Sequence, residues 1–192
     1  MGKTIQKNEL RQITYDEFGE VLRVLTDNVS TYCLEHEVSF DLVVPILRSG
    51  AITGMHLASK LHVVVMLPFQ YKYEEERGLK KICEPPTLKI ELPEKSHILV
   101  VDTNTVTGTT ANQVISDVRR LFPLALISFA TAYLDQSLFP LPNADQTFYG
   151  VLGNERRMIS RSEAEKKGIT NDCIVFPWQD VEEEWRAIHH AT

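Results

Sequence analysis

Residues 97–110 read His97-Ile98-Leu99-Val100-Val101-Asp102-Thr103-Asn104-Thr105-Val106-Thr107-Gly108-Thr109-Thr110. The apolar run at 98–101 suits a strand buried on both faces of a parallel sheet. Asp102 ends the run, and a threonine-dominated stretch follows it. Ala111, Val114, Ile115, Val118, Leu121 and Phe122 then recur at helical spacing. The pattern predicts strand, polar loop, helix. Such a junction presents unpaired backbone N–H groups and the positive end of a helix at the edge of the sheet. Threonine hydroxyls at 105, 107, 109 and 110 add donors, and Gly108 permits a tight turn or a close approach to a ligand. Together they predict a pocket for a phosphate monoester at 105–110. Asp102, at the strand's carboxyl end, is placed to accept from sugar hydroxyls or to act on a metal and its waters.

A second unit of the same kind lies upstream. Asp41-Leu42-Val43-Val44-Pro45-Ile46 reads as a buried strand, and Ala51, Ile52, Met55 and Leu57 as a helix reaching Lys60. Between them, Leu47-Arg48-Ser49-Gly50 forms a loop with one cation. Arginine beside exposed N–H groups suits a diphosphate, because guanidinium and phosphate pair bidentately.

The 100–110 stretch resembles the phosphoribosyl-diphosphate (PRPP) loop of type I phosphoribosyltransferases. That loop runs from an apolar strand through two acidic residues and a variable stretch to Thr-Gly and a further hydroxyl residue. This chain keeps Asp102, Thr107, Gly108 and Thr110 and has Thr103 at the second acid, which uracil phosphoribosyltransferases also lack. Ile46-Leu47-Arg48-Ser49-Gly50 resembles the diphosphate loop of the same family. Ile13-Thr14-Tyr15-Asp16-Glu17-Phe18, Thr147-Phe148-Tyr149-Gly150 and Ile174-Val175-Phe176-Pro177-Trp178-Gln179 are similar to segments of its purine-type members.

The resemblance implies one domain over 1–192: an α/β, doubly wound parallel sheet of about five strands, with helices on both faces and a small hood. The hood would draw on residues 68–96 and the C-terminal part. The implied reaction moves ribose 5-phosphate from PRPP to a nucleobase, with release of diphosphate, in nucleotide salvage. Thr105, Val106, Thr107, Gly108, Thr109 and Thr110 would hold the 5-phosphate. Asp102 and Thr103 would meet the ribose, with Asp102 as the catalytic carboxylate. Leu47, Arg48, Ser49 and Gly50 would hold the diphosphate, across a cis or otherwise strained Leu47–Arg48 peptide. Phe148, Tyr149, Cys173 and Ile174 are the candidates for the base. Mg²⁺ would arrive with PRPP, with no protein ligand for it assigned. A cytoplasmic homodimer is implied.

The departures concern the base. Val106 stands where hypoxanthine–guanine enzymes carry a candidate base catalyst. Residues 131–136 lack the lysine that reads a 6-oxo group, and Cys173 replaces a stacking tryptophan. Weak or absent activity with hypoxanthine, guanine and xanthine is the expectation, unless Arg156 or Arg157 supplies the cation. Two other classes stay open: a PRPP-binding regulator without chemistry, and an unrelated flavodoxin-like nucleotide binder that has no use for Arg48.

The remaining chain fits this frame. Residues 1–12 are polar and expected to be loosely held. Thr14 and Glu17 read as a capping box for a helix running to about residue 36. Residues 63–67 read as a third strand, 87–90 as a short one, and 124–131 as a fifth. Residues 68–96 read as a lid or a solvated loop, and 132–146 as a loop. Ser160 and Glu163 form a second capping box, with Gly168 as the stop of that helix, and the tail from 181 to 190 is helical. The formal net charge of −6 speaks against non-specific nucleic-acid binding. No apolar run approaches the roughly 20 residues needed to span a bilayer, and the N-terminus lacks a signal-type apolar segment. Cys33, Cys83 and Cys173 are odd in number and widely spaced, as reduced thiols are.

Overall fold

Leu42, Val44, Ile46, Ile98, Val100, Ile127 and Phe129 share one buried cluster, while Val43, Leu99, Val101 and Ala130 belong to another. Neighbours along each strand thus face opposite sides, and both sides are apolar, so the sheet must be covered twice. The computed structural model, which describes residues 9–74 and 78–190, supplies both covers. Helices α1 (Tyr15–Glu35) and α2 (Gly50–Lys60) send Leu25, Val29, Leu57 and Ala58 into the second cluster. Helix α3 (Thr109–Leu121) sends Ala111, Val114, Ile115 and Val118 into the first. The five buried apolar side chains of α1 stabilise its docking by roughly 10 kcal/mol. Its capping box is present in both halves, Thr14 and Glu17 each bonding the other's backbone.

The central sheet runs β4 (Gly78–Cys83), β3 (Phe69–Glu74), β2 (Leu42–Leu47), β5 (His97–Thr105), β6 (Leu126–Asp135), β7 (Gln146–Gly153). From β3 to β7 every pair is parallel, which gives the expected five strands. β4 adds a sixth, antiparallel to β3. A second, two-stranded parallel sheet joins β1 (Leu10–Gln12) to β8 (Cys173–Val175), drawing the two ends of the chain together. Beneath it Phe18, Tyr133, Phe176 and Trp178 pack ring on ring. Helices α4 (Arg161–Lys166) and α5 (Val181–His190) complete the chain.

Several expectations shift. Residues 63–67 are not a strand. Val43 pairs with Met66 in a lone bridge, and β3 starts only at Phe69. Pro68 lies between and has no N–H to continue the ladder. Residues 87–90 form no strand either, since they follow Pro85 and Pro86. Within the hood segment 68–96, the first half is the β3–β4 hairpin, an extension of the main sheet. Glu75, Glu76 and Arg77 of that segment lie outside the described residues, as do residues 1–8. Residues 10–12, expected to be loose, are held by β8. β5 and β6 outrun their predicted ends, to Thr105 and Asp135, because each continues to pair with the other. Threonine and tyrosine are good strand formers, and tertiary pairing extends what looked like loop. Ser160 caps α4, accepting from the Glu163 N–H at 3.2 Å, and Gly168 follows the helix with φ of +67°.

Candidate functional site

Parallel strands all end at one edge, so β2 and β5 deliver both phosphate-type loops to the same place. Gly50 sets how close they come. A Cβ there would lie 2.5 Å from the Val101 carbonyl oxygen, so only glycine lets the start of α2 rest on β5. Gly108 has φ of +71°, a left-handed turn that no β-carbon favours, and it opens α3 without a side-chain cap. The Thr107 hydroxyl accepts from the Thr109 N–H at 3.4 Å, and Thr107 and Thr109 are both exposed. The two hydroxyls lie 3.1 Å apart.

Asp102 stands between the loops and is buried. Its Oδ1 accepts from the Ser49 hydroxyl at 2.8 Å and from the Thr103 N–H at 2.7 Å. Its Oδ2 accepts from no described group. Burial pushes its pKa up to about 6, against the lowering effect of those two donors. Arg48 is exposed and pairs with no described residue, beside a Leu47–Arg48 peptide that is cis. The edge thus offers a free guanidinium, a row of N–H groups and one underpaired carboxyl. That is the equipment for an anionic ligand carrying hydroxyls.

Other predicted residues sit differently. Thr103 is fully buried; its hydroxyl donates to the Ser49 carbonyl at 2.6 Å and meets the Thr53 hydroxyl at 2.7 Å. It fastens β5 to α2, with its hydroxyl turned inward. Thr105 is buried within β5, donating to Thr131 at 3.2 Å, so its side chain is turned away from the loop. Val106 is half-buried. Phe148 packs on Tyr32 inside the core and offers no face for stacking. Tyr149 lies edge-on against Phe139. Arg156 donates its N–H to Asp135 and its guanidinium to Ser137, while Arg157 reaches Asn171 and Glu9. Arg157 is thus paired with an acid, while the exposed Arg156 stands at the end of β6 with its guanidinium on a neutral hydroxyl.

Cys173 and Ile174 are buried in β8 and lead to a residue the sequence reading passed over. Glu155, just beyond β7, accepts from Asn104 Nδ2 at 3.4 Å, from Cys173 Sγ at 3.6 Å, and from the Ile174 N–H. Burial pushes its carboxyl up to about 7. Cys173 is pushed up to about 12, by burial first and then by Glu155, so the thiol stays a donor. Among the described residues no group of three metal-ligating side chains gathers anywhere, and no helix is long and apolar enough to cross a membrane.

This architecture is the type I phosphoribosyltransferase fold, as comparison with solved structures shows. A purine phosphoribosyltransferase from Pyrococcus horikoshii matches with a TM-score of 0.63 at 17% identity, over 90% of this chain and 95% of that one. A xanthine-guanine-hypoxanthine phosphoribosyltransferase from Helicobacter pylori matches with a TM-score of 0.63 at 17% identity, over 93% and 99%. A hypothetical protein from Neisseria gonorrhoeae with bound ppGpp matches with a TM-score of 0.60 at 16% identity, over 95% and 97%. No family model and no curated protein matches the sequence.

Proposed function

We propose that this chain is a phosphoribosyltransferase that moves ribose 5-phosphate from PRPP to a nucleobase and releases diphosphate. The observation that carries this reading is the hydrogen bond from Ser49 to Asp102, which joins the Arg48 loop to the strand of the 105–110 loop. PRPP has a phosphate at one end of its ribose and a diphosphate at the other, so its binder needs two anion loops flanking a carboxylate. The 107–110 N–H groups and hydroxyls would hold the 5-phosphate. Arg48, with the N–H groups of Ser49 and Gly50, would hold the diphosphate and stabilise the charge that gathers there as the bond to the ribose breaks. Asp102 Oδ2 would orient the ribose hydroxyls and face the positive charge that develops on the sugar. The β1–β8 sheet, closing over Tyr133 and Phe176, would help exclude water.

Magnesium fits as a companion of the substrate and not as a resident ion. Asp102 is a lone carboxylate beside the loops, with Thr103 turned inward, so diphosphate and ribose oxygens would supply most ligands. Bound in that way, the ion would neutralise diphosphate charge. The working unit on this reading is a homodimer, and the pathway is nucleotide salvage.

The test is incubation with PRPP, Mg²⁺ and a panel of bases while diphosphate release is followed. Release dependent on one base is the expected result. Absence of both release and PRPP binding defeats the reading. A second reading is a nucleotide-binding regulator without turnover. It is favoured by the Neisseria protein with bound ppGpp and by Thr103 at the second acid. It predicts nucleotide binding with no diphosphate release from any base.

A further inference from the structure

Glu155 is a carboxyl group in an unusual position. It is not on the surface of a helix, nor in an ion pair: among the described residues no cation pairs with it. Three elements converge to hold it. Asn104 comes from the end of β5, two residues past Asp102, Cys173 and the Ile174 N–H from β8, and Glu155 itself from the turn after β7. All three donors are neutral, so they position the carboxyl without cancelling its charge. Asn104 meets Oε1 and Cys173 meets Oε2, the first across a long 3.4 Å. The group is held in place with acceptor capacity to spare. It lies on the same sheet edge as Asp102 but toward β7 and β8, on the far side of Asp102 from the Arg48 loop at β2, the side from which a base displacing diphosphate from the ribose would approach.

We propose that Glu155 is the residue that reads the base, selecting a nitrogen heterocycle that presents two adjacent N–H donors: a ring N–H beside an exocyclic amine. The inference rests on the phosphoribosyltransferase reading above. A carboxylate offers two oxygens in a plane, and an amidine-type edge offers two parallel N–H groups, the pairing arginine makes with carboxylates. A base with a single donor leaves one oxygen unpaired. A base with an oxo group at that place sets lone pair against lone pair. Such a site discriminates through the group it leaves unsatisfied. This departs from the expectation of weak activity with all three oxopurines: it separates guanine from hypoxanthine and xanthine, which the missing lysine and tryptophan alone would not.

The reading is pH-dependent. The carboxyl must be charged to accept twice, and its pKa lies up at about 7. The other titratable groups around it are Asp135 from β6, whose charge raises it further, and Cys173 from β8, which stays protonated. Arg157 and Glu9 act on Cys173 from opposite signs, and Arg156 is turned to Ser137 and Asp135. Selectivity therefore grows as pH rises through about 7 and shrinks below it.

The experiment is calorimetric titration of the intact protein with guanosine 5′-monophosphate and inosine 5′-monophosphate, which differ only in the 2-amino group. At pH 8 the guanosine nucleotide should bind at least about tenfold more tightly, the range for a hydrogen bond to a charged group. The ratio should fall at pH 6 in the unmodified protein, and at both pH values in Glu155→Gln. Equal affinities at pH 8, or a ratio indifferent to pH and to Glu155→Gln, overturn the inference while leaving the transferase reading intact. If neither nucleotide binds, this inference falls, and titration of the same protein with PRPP decides the transferase reading separately. The pH arm needs no variant, so a Glu155→Gln protein that fails to fold does not block the test.

Discussion

Asp102 and Asp117 are both buried aspartates on the β5–α3 unit, and their surroundings are opposite. Asp117, midway along α3, is clasped by the Tyr71 hydroxyl, the Arg120 guanidinium, Lys81 at 2.8 Å and Gln113 at 3.1 Å. Burial pushes its carboxyl up, but the hydrogen bonds from Lys81, Tyr71 and Arg120 outweigh that and bring it down to about 2. Asp102 has two donors on one oxygen, no cation, and a pKa raised to about 6. Asp117 ties the β3–β4 hairpin to α3. A carboxylate that is fully paired holds a fold together, whereas one left short of partners in a cleft is available to a ligand.

The severest way to break the contrast is Thr103→Asp, which would supply a second acid beside Asp102. Thr103 is enclosed between Ser49 and Thr53, so the new carboxyl would be buried without a cation. A loss of about 3 kcal/mol or more is expected in urea unfolding. A variant as stable as the parent would show that this pocket admits charge, and that Asp102 lacks a second acid for some other reason. Next comes Asp117→Asn, which removes the charge that four donors share. About 2–3 kcal/mol should go at pH 7, the range for hydrogen bonds to a charged group. Because the folded pKa is depressed, that stability is present above the ordinary carboxylate value and fades as pH falls toward 2. Unfolding curves at pH 7 and pH 3 check both size and sign.

Arg48→Ala tests the other side of the comparison. Its guanidinium has no described partner, so stability should stay within about 0.5 kcal/mol. PRPP affinity should fall by about tenfold or more. Titration of the variant with PRPP and Mg²⁺ separates the two, and unchanged affinity would return Arg48 to the role of a surface charge.

The legible part of this site was the local part. A strand, a threonine loop and a helix lie within residues 97–121, so this strand–loop–helix turn and the place of Asp102 could be read from consecutive residues. So could Arg48 and its glycine. What escaped was assembled across the fold. Glu155 meets Asn104 51 residues away and Cys173 18 residues away, and nothing in Gly153-Asn154-Glu155-Arg156-Arg157 marks the middle residue over the arginines beside it. Asp117 reads as an ordinary helix position until Tyr71, 46 residues distant, is brought to it. Threonine misled in the other direction: its residue type suits a phosphate loop and a strand alike. Thr103 and Thr105 turned out to be strand, with hydroxyls pointing inward.

The smallest expected effect is the most pointed. Asparagine keeps the shape of Asp102 and mimics its protonated form. Since the folded pKa is raised from 3.8 to about 6, the folded protein binds that proton more tightly than the unfolded chain. Between those values the native state holds more protons, so this group's contribution falls as pH rises and is gone above about 6. Asp102→Asn should therefore match the parent at pH 5 and exceed it at pH 8. The relief from ionising a buried group is partly offset by weaker, neutral bonds from Ser49 and Thr103, which leaves a net gain of about 1 kcal/mol. PRPP binding should weaken in the same variant, because the open Oδ2 is replaced or reversed. Gained stability with lost binding is the signature of a residue strained for a ligand. Urea unfolding at pH 5 and 8, beside PRPP titration at pH 8, would show it. Equal destabilisation at both pH values would place Asp102 with Asp117 as a fastening of the fold, and the contrast between them would collapse.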